Sequence, residues 1–136
     1  MTDSPSTVSM VRTVGFWLAA VMAVLQALNA VRAFTDPSGF AAYMGLPLAN
    51  LSDAGFVGVY GLRTAFIAGL IVVLLATKRL HALAWMAGVA ILMPAGDAWL
   101  TWQAGADSSI VARHMAILVY VIVAFVFLRR AAVRVA

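Results

Sequence analysis

The chain has 136 residues, of which 65% are hydrophobic and 10% charged, against about half and a quarter in an ordinary soluble domain. A domain this small still exposes much of its surface, so the excess cannot be hidden inside and the surrounding medium must itself be apolar. The absence of cysteine excludes disulfides and thiol chemistry, and the net charge of +4 sits beside apolar runs as topology signals do, which argues against nucleic acid as a partner.

Residues 1–9, "MTDSPSTVS", read as a disordered cytoplasmic tail, and 10–136 as a single transmembrane domain. Four windows have the roughly 20 apolar residues that a membrane helix needs: 13–34, 54–76, 80–102 and 110–128. Arg12 and the small-residue stretches "LNA" and "VRA" give the first window some features of a signal peptide, but its apolar part is long for one. Between the first and second spans, Pro37 as a helix start and "GLP" at 45–47 as a stop bracket a piece carrying Phe40, Tyr43 and Met44. It is expected to be a short interfacial helix lying over one end of the bundle, with a plain connecting loop as the alternative. The fold class expected is therefore all-α, a four-transmembrane-helix bundle with one short interfacial helix, and no internal repeat is visible.

Arg12, the Lys78–Arg79 pair, and Arg129, Arg130 and Arg134 fall on one side of four spans. The positive-inside rule makes that side cytoplasmic, in a bacterial inner membrane with both termini inside.

In the first span Gln26 and Asn29 share a stripe with Met22 and Ala33, and Arg32 lies near its outer end. In the second, Gly61, Ala65 and Gly69 form a small-residue row that suits either packing within one subunit or a homo-oligomer. Arg63 lies on roughly the other side, one turn from Tyr60 and about 13 Å into the span at 1.5 Å per residue. The third span holds one carboxylate, Asp97, in "MPAGDAWLTW" at 93–102, and its faces separate cleanly. His81, Trp85, Gly88, Leu92 and Trp99 lie on one side and Met86, Ala90, Met93, Asp97 and Thr101 on the other. A carboxylate facing lipid is costly, so the Asp97 side should face the bundle. Pro94 frees a backbone carbonyl nearby and loosens the helix there. The fourth span opens on His114 and continues with an apolar face.

These positions put Asn29, Arg32, Tyr60, Arg63, Asp97 and His114 in the outer half of the bilayer, and His81 at the opposite rim. Two histidines at opposite membrane faces argue against a bis-histidine haem, and no metal or cofactor is expected. Asp97 is expected to pair with Arg63, with His114 as a third member.

The ordered set "DPSGFAAYMGLP" (36–47), "YGLR" (60–63), "PAGDA" (94–98) and a lone His114 resembles a family of small bacterial membrane proteins. That family is catalogued as a domain of unknown function and is DoxX-like in architecture. The resemblance spans approximately 30–130. It implies a four-helix integral membrane fold, with Gly61, Arg63, Pro94, Asp97 and His114 at motif positions, and no established activity. Thr64 stands where many relatives are expected to carry Asp or Asn, so one polar partner is absent.

Four functions are compatible with this pattern. The first is a polar cluster that is structural or lines a small lipophile-binding pocket, with Asn29, Arg32, Tyr60, Met93 and Trp99 as ligand-binding candidates. The second is a membrane-embedded acid–base enzyme of isomerase, cyclase or epoxide-opening type, with Asp97, His114 and Arg63 as its catalytic candidates. The third, by fold analogy, is an accessory subunit of a membrane redox system. A proton-coupled exporter is disfavoured, because the only deep carboxylate lies near one face and no inverted repeat is visible. The partners expected are membrane lipid and a lipophilic small molecule.

Overall fold

The computed structural model describes residues 9–135, so the tail expected at 1–9 lies outside the described residues apart from Ser9. The chain is all-α, a four-helix bundle with no strand among the described residues. Its helices are α1 (Val14–Thr35), α2 (Pro37–Met44), α3 (Ala54–Ala76), α4 (Leu80–Ala90), α5 (Leu92–Gln103) and α6 (Ser108–Val135). Four segments are long and apolar enough to cross a membrane: Val14–Thr35, Leu51–Ala76, Leu80–Gln103 and Ser108–Arg134. The chain is thus a multi-pass membrane protein.

Local chemistry sets the helix boundaries. Thr13 caps α1 by accepting from Phe16 N at 3.3 Å. Asp36 does the same for α2, accepting from Gly39 N at 2.9 Å, with Pro37 in the first turn. Gly45 ends α2 at φ 86°, a left-handed conformation that glycine adopts without strain. The short helix expected between the first two spans is therefore present.

The third crossing is not one rod. It breaks at Ile91 into α4 and α5, three residues before Pro94. Proline has no N–H for the carbonyl of Ala90 and its ring clashes with that carbonyl, so the ladder is interrupted there. The fourth crossing, in contrast, runs past the expected end at 128 and carries Arg129, Arg130 and Arg134 as helix.

Hydrocarbon offers little drive for helices to associate, so packing quality decides which ones touch. The buried face of α1 is made of small residues, Gly15, Ala19, Ala23, Ala30 and Ala33. It lets both α3 and α6 approach, while α6 also packs on α4 and on α5. In contrast, α3 and α5 are not closely packed against one another. Side chains meet tightly at the two ends of the bundle. Ile71, Leu75, Leu80, Leu83 and Leu128 fill one end, and Ala33, Phe40, Ala41 and Val57 fill the other, under α2.

The row Gly61, Ala65, Gly69 is split by this arrangement. A Cβ on Gly61 would stand 2.9 Å from Ala33 Cβ of α1, whereas Ala65 is exposed and a Cβ on Gly69 would meet nothing within 4 Å. Gly15 makes an equally close approach, but to backbone: a Cβ there would lie 2.9 Å from α6 at Phe127 and Leu128. Backbone cannot give way as a flexible side chain can. Gly15→Val is therefore expected to lower the melting temperature in mild detergent, by the equivalent of about 1–3 kcal/mol for overpacking. Gly69→Val should leave it unchanged.

Candidate functional site

Between the two packed ends lies a cavity of about 390 Å³, with walls from every helix of the bundle. Its lower part is aliphatic and thioether surface, including Met22, Ile67, Ile71, Leu83 and Met86. The polar part is concentrated at the α2 end.

Helix geometry explains that concentration. Asn29 lies six residues before Thr35, the end of α1, and Tyr60 lies six after Ala54, the start of α3. Asp97 lies six residues before Gln103, the end of α5, and His114 six after Ser108, the start of α6. At 1.5 Å per residue each sits about 9 Å inside the α2 end of its helix. All four line the cavity, so four crossings contribute one polar group each to a single layer.

The layer is not a hydrogen-bonded network. Neither the Asp97 carboxylate, the Tyr60 hydroxyl nor the Asn29 amide bonds to another group of the described protein, and no buried side-chain polar atom is stranded. These groups are accordingly accessible, and the space they reach is the cavity.

His114 is 2% exposed and divides its two nitrogens between two tasks. Its Nε2 lies 3.2 Å from Met44 O of α2. A carbonyl oxygen only accepts, so Nε2 carries the proton and donates. In the neutral ring Nδ1 is then a bare acceptor, and it has no partner in the described protein. The neighbouring Arg113 donates from Nη2 to Tyr43 O and lays its guanidinium over the Tyr43 ring, 3.7 Å from the centroid. Arg32 of α1 reaches the same ring at 5.5 Å. The last two carbonyls of α2, orphaned as helix ends always are, are thus satisfied by consecutive residues of α6. Together with Arg32, these contacts fix α2 across the mouth of the cavity.

Of the residues singled out from sequence, Asn29, Tyr60, Met93, Asp97 and His114 line the cavity. Arg32 does not line it, but stacks on a residue that does. Two expectations are corrected. Arg63 is exposed, is not part of the wall and does not pair with Asp97. It falls about 60° round α3 from Tyr60, on the flank away from α1, at 100° per residue. Trp99 is 56% exposed and packs on Trp102 with ring centroids 5.2 Å apart, on the outward face of α5. Thr64, 1% exposed, turns its hydroxyl onto Gly61 O of its own helix, so the position offers the cavity nothing.

Sequence reasoning missed Gln26, Tyr43, Arg113 and Tyr120 as wall residues. Gln26 was findable, because it shares the stripe of Met22 and Asn29. Tyr120 spends its hydroxyl on Leu18 O at 2.7 Å, tying α6 to α1 towards the end opposite α2.

Two sets of variants separate these roles. His114→Leu strands Met44 O and should cost about 1–3 kcal/mol, read as a lower melting temperature, whereas His114→Gln keeps a donor and should recover most of the loss. A buried ion pair would cost about 3–5 kcal/mol to break. With no such pair, Asp97→Asn and Arg63→Leu should each leave the melting temperature within a few degrees of wild type.

The family model described as "Domain of unknown function (DUF4267)" matches residues 20–128, a stretch that contains all four sequence motifs and the whole polar layer. No curated protein and no solved structure matches the chain.

Proposed function

The chain belongs to the DUF4267 family, whose description assigns no activity, and we propose that it binds a small lipophile in the cavity between its crossings. The observation that carries this reading is the layer of Asn29, Tyr60, Asp97 and His114 Nδ1, polar groups that converge on an apolar cavity without partners in the described protein. A structural network would satisfy these groups among themselves, because an unpaired polar group in low dielectric is costly. Here they are left for a guest. A cavity of about 390 Å³ lies within the range of small-molecule sites, and its composition, mostly apolar with a few convergent polar groups, is typical of them. The basic residues at the end opposite α2, among them Lys78, Arg79, Arg129 and Arg130, support placing that end in the cytoplasm of a bacterial inner membrane. The polar layer then belongs to the outer leaflet.

A second reading rests on the same atoms. Asp97 and the free Nδ1 of His114 offer a proton donor and a proton acceptor to whatever occupies the cavity, which is the minimum that acid–base isomerisation needs. On that reading Asp97→Asn keeps binding and loses turnover.

Binding can be tested with 1-aminoanthracene, a lipophile of suitable size that fluoresces in apolar surroundings. Wild-type protein in phosphatidylcholine nanodiscs should show a saturable signal above that of empty discs. Ala90→Phe, which fills the cavity from α4, should abolish the saturable part without a large change in melting temperature. Equal saturable binding by the two proteins would rule the cavity out as the site.

A further inference from the structure

We propose that the end opposite α2 carries a binding site for one anionic phospholipid, built on the outer side of the α4–α6 pair around Trp85 and Arg129. The site is separate from the cavity and does not depend on it.

Charge is segregated along the bundle. Of the aspartates in the described residues, Asp36, Asp53 and Asp107 lie at the α2 end and Asp97 in the polar layer. Arg12, Lys78, Arg79, Arg129, Arg130 and Arg134 lie at the opposite end, where no side chain of the described residues is acidic. The counter-charge has to come from elsewhere, and in a bilayer the anions at hand are lipid headgroups.

One of these cations is held in place. Trp85 lies five residues past Leu80, the start of α4, about 7.5 Å along the helix. That is the level at which indole rings collect, between headgroups and acyl chains. Its Nε1–H donates to His81 Nε2 at 3.2 Å, and its ring meets Phe125 of α6 at 6.5 Å between centroids. Gly88 makes room for this, since a Cβ there would stand 3.0 Å from the Phe125 ring. Arg129, one turn beyond Phe125, lays its guanidinium over the Trp85 ring, 4.8 Å from the centroid. Stacking uses the face of a guanidinium and leaves the N–H donors of its edge for an anion. His81, whose Nε2 accepts from Trp85, carries its ring proton on Nδ1 and offers a second donor. Lys78 and Arg79, exposed in the turn before α4, add charge beside it.

The identity of the occupant follows from charge and from the surface alongside. A choline head brings a cation beside Lys78 and Arg79, with no carboxylate to receive it, so a head that is anionic throughout is preferred. Val89 of α4 and Ile122 of α6, each one turn farther from the basic end, are exposed and give an acyl chain an apolar track that free phosphate would not use. Arg130 provides an internal comparison. It turns about 100° round α6 from Arg129 and lies over Phe127 instead, 5.8 Å from the centroid.

The test is native mass spectrometry of the full chain in maltoside micelles doped with equal amounts of dioleoyl phosphatidylglycerol and dioleoyl phosphatidylcholine. The first lipid retained by the wild type should be phosphatidylglycerol, in at least about fivefold excess, which corresponds to about 1 kcal/mol for one cation near an anionic head. Arg129→Gln should bring the two lipids close to parity. Trp85→Leu, which keeps every charge and removes the stack, should lower the excess as well. Arg130→Gln, which removes the same charge as Arg129→Gln, should leave it at the wild-type value.

Equal retention of the two lipids by the wild type overturns the proposal. So does an equal loss in Arg130→Gln and Arg129→Gln, which would make net charge the cause, or an excess that survives in either Arg129→Gln or Trp85→Leu. Ammonium phosphate should displace the lipid no better than ammonium acetate of the same ionic strength. Stronger displacement by phosphate would make the free anion the occupant and overturn the lipid assignment.

Discussion

The last carbonyls of a helix have no partner within the helix, and each must find one elsewhere. That constraint organises one end of this protein. Tyr43 O and Met44 O, at the last turn of α2, are met by Arg113 and His114 from α6, 70 residues along the chain. Because those two residues reach upward, α2 is held across the bundle and the space beneath it is roofed. Because His114 spends its Nε2 on that task, its Nδ1 is left without a partner in the described protein. The same bond that closes the roof therefore creates one of the acceptors of the site.

The opposite end is governed by contact between backbones. Gly15 and the small stripe of α1 bring α1 against α6, and Tyr120 bonds across to Leu18 O. The cavity starts one turn farther along α1, at Ala19, and reaches up to the polar layer. A tight end and a roofed end with space between them are what distinguish this bundle from a fully packed one. Leu83 and Leu128, which floor the cavity, also belong to the tight cluster, so stability and binding share residues there, as they do at His114 beneath α2.

Much of this was legible in the sequence. The apolar runs, the capping chemistry around Asp36, Pro37 and Gly45, and the inward face of Met86, Ala90, Met93 and Asp97 all follow from local periodicity. Hydropathy and helix geometry act over a few residues, so they survive translation into structure. What was not legible depends on contacts distant in sequence. Arg63 was expected to meet Asp97 because both are charged and similarly deep, but depth does not fix azimuth, and 60° of rotation puts it outside the wall. Trp99 failed similarly, since its own helix face had already placed it outward. Nothing in the residues around Arg113 announces a task. Only the position of α2 reveals that it caps a carbonyl.

The loosely packed pair of helices has a consequence of its own. Tyr60 on α3 and Asp97 on α5 face one cavity, yet their helices do not pack closely together, and Met93 on that side is 39% exposed. The wall there is a seam of side chains set against acyl chains. For the guest of the proposed function, this seam is a lateral path from the bilayer that crosses no water and leaves α2 in place. Occupancy is then set by the mole fraction of guest in the membrane, so a weak intrinsic affinity suffices for a strongly partitioning molecule.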